Sequence, residues 1–142
     1  MVVIEALLRR QLEEIGRFAR EIDDPAEALA AILRHHLAFI LEAGDRLSAW
    51  RQEFRNEEDE DAWRLRRMQR LYIEEWVEVL LRLRSDLSDA EARTAVHGAM
   101  SLLQSAAARR SGLPPDELAD VLGSMAFAAL TSRLSSSDSV LT

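Results

Sequence analysis

Apolar residues recur every three or four positions through most of the chain, and no alternating strand pattern competes with them, so the expected elements are helices. Ile4, Leu8, Leu12, Ile15, Phe18 and Ile22 fall on one face of a first helix, with Arg9, Arg10, Glu13, Glu14, Arg17 and Arg20 largely opposite. This helix is expected to stop near Asp23. Asp24-Pro25-Ala26-Glu27 then opens a second: Asp24 can accept from orphan amides, Pro25 suits the first turn, and Glu27 can reach back as in a capping box. Leu29, Ile32, Leu33, His36, Ile40 and Ala43 form its stripe. Gly44 reads as a left-handed stop and Asp45 as the next N-cap. A short third helix carries Leu47, Trp50 and Phe54 and merges into the acidic run Glu57-Glu58-Asp59-Glu60-Asp61, whose carboxylates suit the start of a fourth. That fourth helix is expected to reach about Arg84. Its stripe is Leu65, Met68, Tyr72, Trp76, Val79 and Leu83, widened in the second half by Ile73, Val77 and Leu80. Ser88-Asp89-Ala90-Glu91 supplies a capping box for the fifth, Arg109 and Arg110 complement its end, Gly112 stops it, and Pro114-Pro115 opens a sixth.

Two of these helices lack a charged face. Residues 94–108 and 121–132 contain no Asp, Glu, Lys or Arg, in a chain that is 30% charged. A helix of that kind must be covered on nearly every side. Both segments are too short and too rich in Ala, Ser and Gly to span a bilayer, so the expected cover is a second copy of the chain. On the fifth helix Ala92, Ala95, Ala99, Leu102 and Ala106 make a strip of small residues that admits a close neighbour, beside an apolar strip of Val96, Met100, Leu103 and Ala107. The sixth presents Leu118, Val121, Leu122, Met125 and Ala129 on one side and Gly123, Phe127, Leu130 and Leu134 on another. The expectation is a homodimer joined by an intersubunit four-helix bundle through Ala95, Ala99, Leu102, Ala106, Met125 and Ala129. The fold expected is thus all-α with six helices. Residues 1–135 form one domain and 136–142 a polar tail that frays.

Composition narrows the class. A chain of 142 residues is the length of one domain, and 48% hydrophobic residues suffice for one core. A formal net charge of -7 opposes attraction to phosphate backbones. There is no Cys, which removes disulfides, thiolate metal sites and thiol nucleophiles. The start, Met1 to Ala6, reads as neither a signal peptide nor an anchor, so the expected location is cytoplasmic. The Arg64, Arg66, Arg67 and Arg70 run is expected to pair with Glu60, Asp61 and Glu74 at helical spacing rather than to bind phosphate.

Candidate chemistry is sparse, and an enzyme is not expected. No Gly-rich phosphate loop, His-Glu-x-x-His pattern or nucleophile elbow is present. His36 and His97 have no matched metal-ligand spacing, and the acidic run lacks the alternation and Gly of a calcium loop. No cofactor and no metal are implied. His36 lies in the middle of an apolar stripe and reads either as a ligand contact or as a core imidazole bonded to a carbonyl. His35, at the stripe's edge, is expected at the surface. Thr94, His97, Ser101 and Gln104 form a polar stripe that needs partners once buried, from a ligand or across a dimer.

The chain resembles the C-terminal regulatory domain of the TetR/AcrR family of transcriptional regulators. The residues that carry the resemblance are Val2-Val3-Ile4-Glu5-Ala6-Leu7-Leu8, Asp24-Pro25-Ala26-Glu27, Trp50-Arg51-Gln52-Glu53-Phe54-Arg55, Asp86-Leu87-Ser88-Asp89-Ala90-Glu91-Ala92-Arg93, Leu113-Pro114-Pro115-Asp116-Glu117-Leu118 and Met125-Ala126-Phe127-Ala128-Ala129-Leu130. They span most of the sequence and are patterns of helix length and composition. The resemblance implies a repressor in which this region dimerises and binds a small-molecule effector. Operator DNA is then reached only through an N-terminal helix-turn-helix domain that this chain does not include, the sequence beginning about where the linking helix would start. It further implies an apolar cavity among helices two to five, with His36, Ile40, Trp50, Phe54, Met68, Tyr72, Trp76, His97 and Met100 as ligand contacts. The alternative is a non-catalytic helical dimer that binds partner proteins and takes no small ligand.

Overall fold

The computed structural model describes the backbone of residues 2–54, 60–109 and 111–133, and the side chains of residues 3–43, 60–109 and 111–133. Among the described residues there are five helices and no strand: α1 (Val2–Glu21), α2 (Pro25–Phe54), α3 (Glu60–Leu83), α4 (Asp89–Ala108) and α5 (Pro115–Thr131). The all-helical expectation is met, and the count differs for one reason. The expected second and third helices are a single α2 that runs through Gly44 and Asp45 without a break. Glycine in a helix interior costs only about 1 kcal/mol relative to alanine. The neighbours Leu41, Glu42, Ala43, Arg46 and Leu47 are good or tolerable helix formers, so the continuous ladder prevails over the stop signal. Trp50 and Phe54 therefore belong to the last turns of α2, and their side chains lie outside the described residues, as do Glu57 to Asp59 and the tail 136–142.

The other boundaries follow their local chemistry. Asp24 Oδ1 accepts from the Ala26 N–H at 3.3 Å and the Asp24 carbonyl accepts from Ala28 at 2.9 Å. At α4 both halves of the capping box form: Glu91 N–H donates to Ser88 Oγ at 3.1 Å, and Ser88 N–H donates to Glu91 Oε1 at 2.9 Å. Gly112 takes φ 86°, the left-handed conformation that glycine adopts freely, in the turn before Pro114 and Pro115 start α5.

α2 is the central element and touches the other four helices. α1 and α3 run parallel to each other: Glu5 faces Arg64 at one end (3.5 Å), Gly16 faces Glu75 midway, and the Arg82 guanidinium donates to the Ala19 carbonyl at the other (2.9 Å). At Gly16 a Cβ would meet Glu75 Oε1 at 3.4 Å, an ordinary contact, and the Arg20 guanidinium of its own helix at 3.1 Å. At Gly123 a Cβ would stand 3.3 Å from Leu37 Cδ1, so the glycine eases the approach of α5 to α2. Arg84, at the end of α3, donates to the carbonyls of Leu130 (3.1 Å) and Ser132 (2.6 Å) while its other edge holds Asp86. It thereby satisfies two carbonyls at the C-terminus of α5. Glu74 pairs across to Arg93 on α4 rather than with the arginines of its own helix, and Arg67 lies over the Trp63 ring.

The core is concentrated where the end of α1, the first half of α2, the end of α3 and the inner faces of α4 and α5 meet. Ile15, Leu29, Ile32, Trp76, Val79, Leu80, Val96, Leu103 and Leu130 are all fully or almost fully buried there. Burying each such side chain contributes about 1.5–3 kcal/mol. His35 is a correction to its expected surface position: it is half-buried between α1 and α2, its ring edge-on to Phe18 at 5.6 Å, and burial pushes its pKa down.

Candidate functional site

Toward the other end of the bundle four of these helices, α1 to α4, separate around a cavity of about 360 Å³. This volume lies within the range of small-molecule pockets, roughly 300–1,000 Å³. α1 contributes Leu8 and Gln11, α2 His36, Phe39 and Ile40, α3 Met68, Gln69, Tyr72 and Ile73, and α4 His97, Met100, Ser101 and Gln104. The helical period sets this up, because each helix turns residues three or four apart onto one face. Apolar groups from Leu8, Phe39, Ile40, Met68, Ile73 and Met100 form most of the wall, and none of the lining residues carries a carboxylate or a guanidinium.

The floor of the cavity is polar and ordered. His36 is only 8% exposed, and its Nδ1 lies 2.7 Å from the Tyr72 hydroxyl. Burial pushes the Tyr72 phenol well above its ordinary pKa, so it stays protonated and can donate to that nitrogen. Behind this pair stands Trp76, 0% exposed, edge-on to the His36 ring at 5.2 Å and tilted to the Tyr72 ring at 6.4 Å. His36 thus has a side-chain hydroxyl as a partner, and it faces both the core and the cavity.

Of the nine residues expected to contact a ligand, His36, Ile40, Met68, Tyr72, His97 and Met100 are brought together on this wall. Trp76 is not on it. It lies one turn further along the Tyr72 stripe, on the core side of the floor. Trp50 and Phe54 have no described side chains. Within the polar stripe of α4, His97, Ser101 and Gln104 line the cavity, whereas Thr94 donates to its own helix at the Ala90 carbonyl (2.8 Å). His97 and Ser101 are exposed and mark the rim. Sequence reasoning missed Leu8, Gln11, Phe39, Gln69 and Ile73. For Gln11 and Gln69 the usable signal was an uncharged amide at helical spacing from apolar residues, Gln11 from Leu8 and Ile15 and Gln69 from Leu65 and Ile73.

A wider groove of about 880 Å³ lies between α2 and α5, but it is rimmed by Arg34, Glu42, Asp116 and Asp120. With charged, exposed edges and no convergent buried polar groups, it has the character of a solvated surface channel. Among the described residues no group of three His, Asp or Glu side chains could hold a metal ion, and no helix is long and apolar enough to cross a membrane.

The residues expected at a dimer interface divide between two environments. Ala99 is 2% exposed and, with Ala92, packs inside the protomer's own core. Ala95, Leu102 and Ala106 are half-buried, and Met125 (51% exposed) and Ala129 are at the surface. The outward face of α4 is formed by Thr94, His97, Gly98, Ser101 and Ser105, and that of α5 by Val121, Ser124, Met125, Ala128 and Ala129. Over these residues neither face carries a charge, and exposed carboxylates stand at the N-terminal end of each helix, Asp89 and Glu91 on α4 and Asp116, Glu117 and Asp120 on α5.

The sequence matches no protein-family model and no curated protein.

Replacing Tyr72 by Phe removes the hydroxyl that meets His36 while keeping the ring. The variant is expected to lose about 1 kcal/mol of stability in urea unfolding. Unchanged or increased stability would show that the pair does not hold the floor.

Proposed function

We propose that this chain is the effector-binding and dimerisation domain of a TetR-like transcriptional regulator, acting as a repressor without catalysing a reaction. The observation that carries the reading is the cavity: an apolar hollow between helices, with a few polar groups converging on it and a buried His-Tyr pair at its floor. That combination is typical of a site that orients a small, largely apolar molecule. The uncharged exposed residues from Thr94 to Ser105 on α4 and from Val121 to Ala129 on α5 support the dimer half of the reading, because such stretches on a chain this rich in Arg and Glu suit contact with a second copy.

The mechanism is a population shift. α1 supplies part of the cavity wall and, in the family that this sequence resembles, is the helix joined to the DNA-reading domain. A molecule that binds one arrangement of α1 against α3 and α4 more tightly than another biases the dimer toward that arrangement. Its effect on operator affinity equals its differential binding energy, typically about 1–3 kcal/mol. The proposed location is the cytoplasm, and the proposed partners are a second subunit, an effector and, through the reader domain alone, operator DNA.

Two measurements test this. Screening a broad library of neutral and amphipathic compounds by thermal unfolding should yield ligands that raise Tm by about 5–10 °C at a hundredfold excess over Kd. A library without any stabilising compound would favour a protein-interaction module instead. Light scattering at micromolar concentration should report twice the chain mass. Gly98→Arg, at a site where a Cβ meets nothing within 4 Å, and Met125→Arg should each give folded monomer. A monomeric wild-type protein would contradict the dimer.

A further inference from the structure

Gln11 lines the cavity from α1, and its Oε1 is buried with no hydrogen-bond partner among the described residues. Buried amide oxygens are nearly always satisfied, and one left open calls for a donor from outside the chain. The terminal torsion of glutamine is broad, so the carboxamide can turn toward a donor in the cavity without displacing α1. Charge is the second observation. The wall contains no Asp, Glu or Arg, the Nδ1 of His36 is already engaged by Tyr72, and His97 sits at the exposed rim where water screens it. An ion entering this site would give up its hydration for a wall with no counter-charge.

We propose that the cavity takes an uncharged molecule with an apolar body and an O–H or N–H group that donates to Gln11 Oε1, an inference that rests on the reading of the cavity as an effector site. The apolar body packs against Ile40, Met68 and Met100, and the donor fixes its orientation. Because the acceptor belongs to α1, the polar contact is made to the helix that the proposed mechanism uses as its lever. A ligand of the same shape without the donor gains the apolar contacts and leaves Gln11 unanswered.

Isothermal titration of the full chain with four matched probes tests this: 4-butylphenol, 4-butylanisole, 4-butylbenzoate and 4-butylbenzylammonium. 4-Butylphenol should bind roughly tenfold tighter than each of the others. Gln11→Leu should bring 4-butylphenol and 4-butylanisole to equal affinity. Gln11→Glu, which keeps the shape and adds a negative charge, should transfer the preference to 4-butylbenzylammonium. Wild-type protein that prefers an ionic probe or the anisole, or that shows no preference, overturns the ligand class while leaving the cavity reading in place. So does a phenol preference that survives Gln11→Leu. Should none of the four bind, library hits decide: neutral donors weakened by Gln11→Leu uphold the inference, and ions or donor-free hits overturn it. The absence of any hit overturns both it and the effector reading.

Discussion

The hydrogen bond between His36 and Tyr72, backed by the Trp76 ring, holds α2 and α3 together at the level where solid packing gives way to a hollow. On one side of it Ile15, Leu29, Ile32, Val79, Leu80 and Val96 are fully buried between the helices. On the other side the wall is built from long, adaptable side chains such as Met68, Met100, Gln69 and Gln104. A hollow in a protein interior is unfavourable, because the atoms lining it lose contacts. It persists where the surrounding helices are fixed by something else. Here Trp76 and the His36-Tyr72 pair fix the floor, and the ends of α1, α3 and α5 are tied by Arg82 and Arg84 to carbonyls of the neighbouring helices.

α4 links the three parts of the molecule. Its inner face, Ala92, Val96, Ala99 and Leu103, belongs to the core, Met100 and Gln104 line the cavity, and Thr94, Gly98 and Ser105 face outward without charge. His97 and Ser101 belong to both the cavity rim and the outer face. In the proposed regulator this adjacency gives occupancy of the cavity a short route to subunit contact, through one helix and without a long chain of intermediates. Glu75 lies apart from the cavity, in the seam of α3 against α1. Burial and the neighbouring Glu78 raise its pKa, opposed by Arg20, so the seam is most favourable when that carboxyl is protonated.

Much of the architecture was legible because helical signals are local. The Ser88 and Glu91 capping box, Gly112 and the Pro114-Pro115 start all sit where their chemistry required. The stripes containing His36, Ile40, Met68, Tyr72 and Met100 pointed to residues that do share a wall. What a stripe cannot convey is depth along the helix axis. Trp76 is four residues beyond Tyr72 on the same stripe, yet one turn is enough to move it from the cavity to the core. Ala99, spent inside the protomer, and Gly98, on the outer face, differ instead by the turn of about 100° between neighbours, and a strip of small residues does not say which of its sides meets the core. Gly44 was misread because a stop signal in a glycine is weak against helix formers on both sides. Gln11 was missed because its spacing from Leu8 and Ile15 places it beside the apolar stripe without telling that its oxygen is buried.

The central claim is that the space above His36 and Tyr72 receives a guest. The chain has four methionines, of which Met68 and Met100 line that space and Met125 stands on the outer face of α5. Methyl NMR of methionine-labelled protein reads them separately during titration with 4-butylphenol or, should that not bind, with the most stabilising compound of the thermal screen. Saturable shifts are expected at the Met68 and Met100 methyls, larger than any at Met125. Shifts confined to Met125, or no saturable change at any of the three, would contradict that claim.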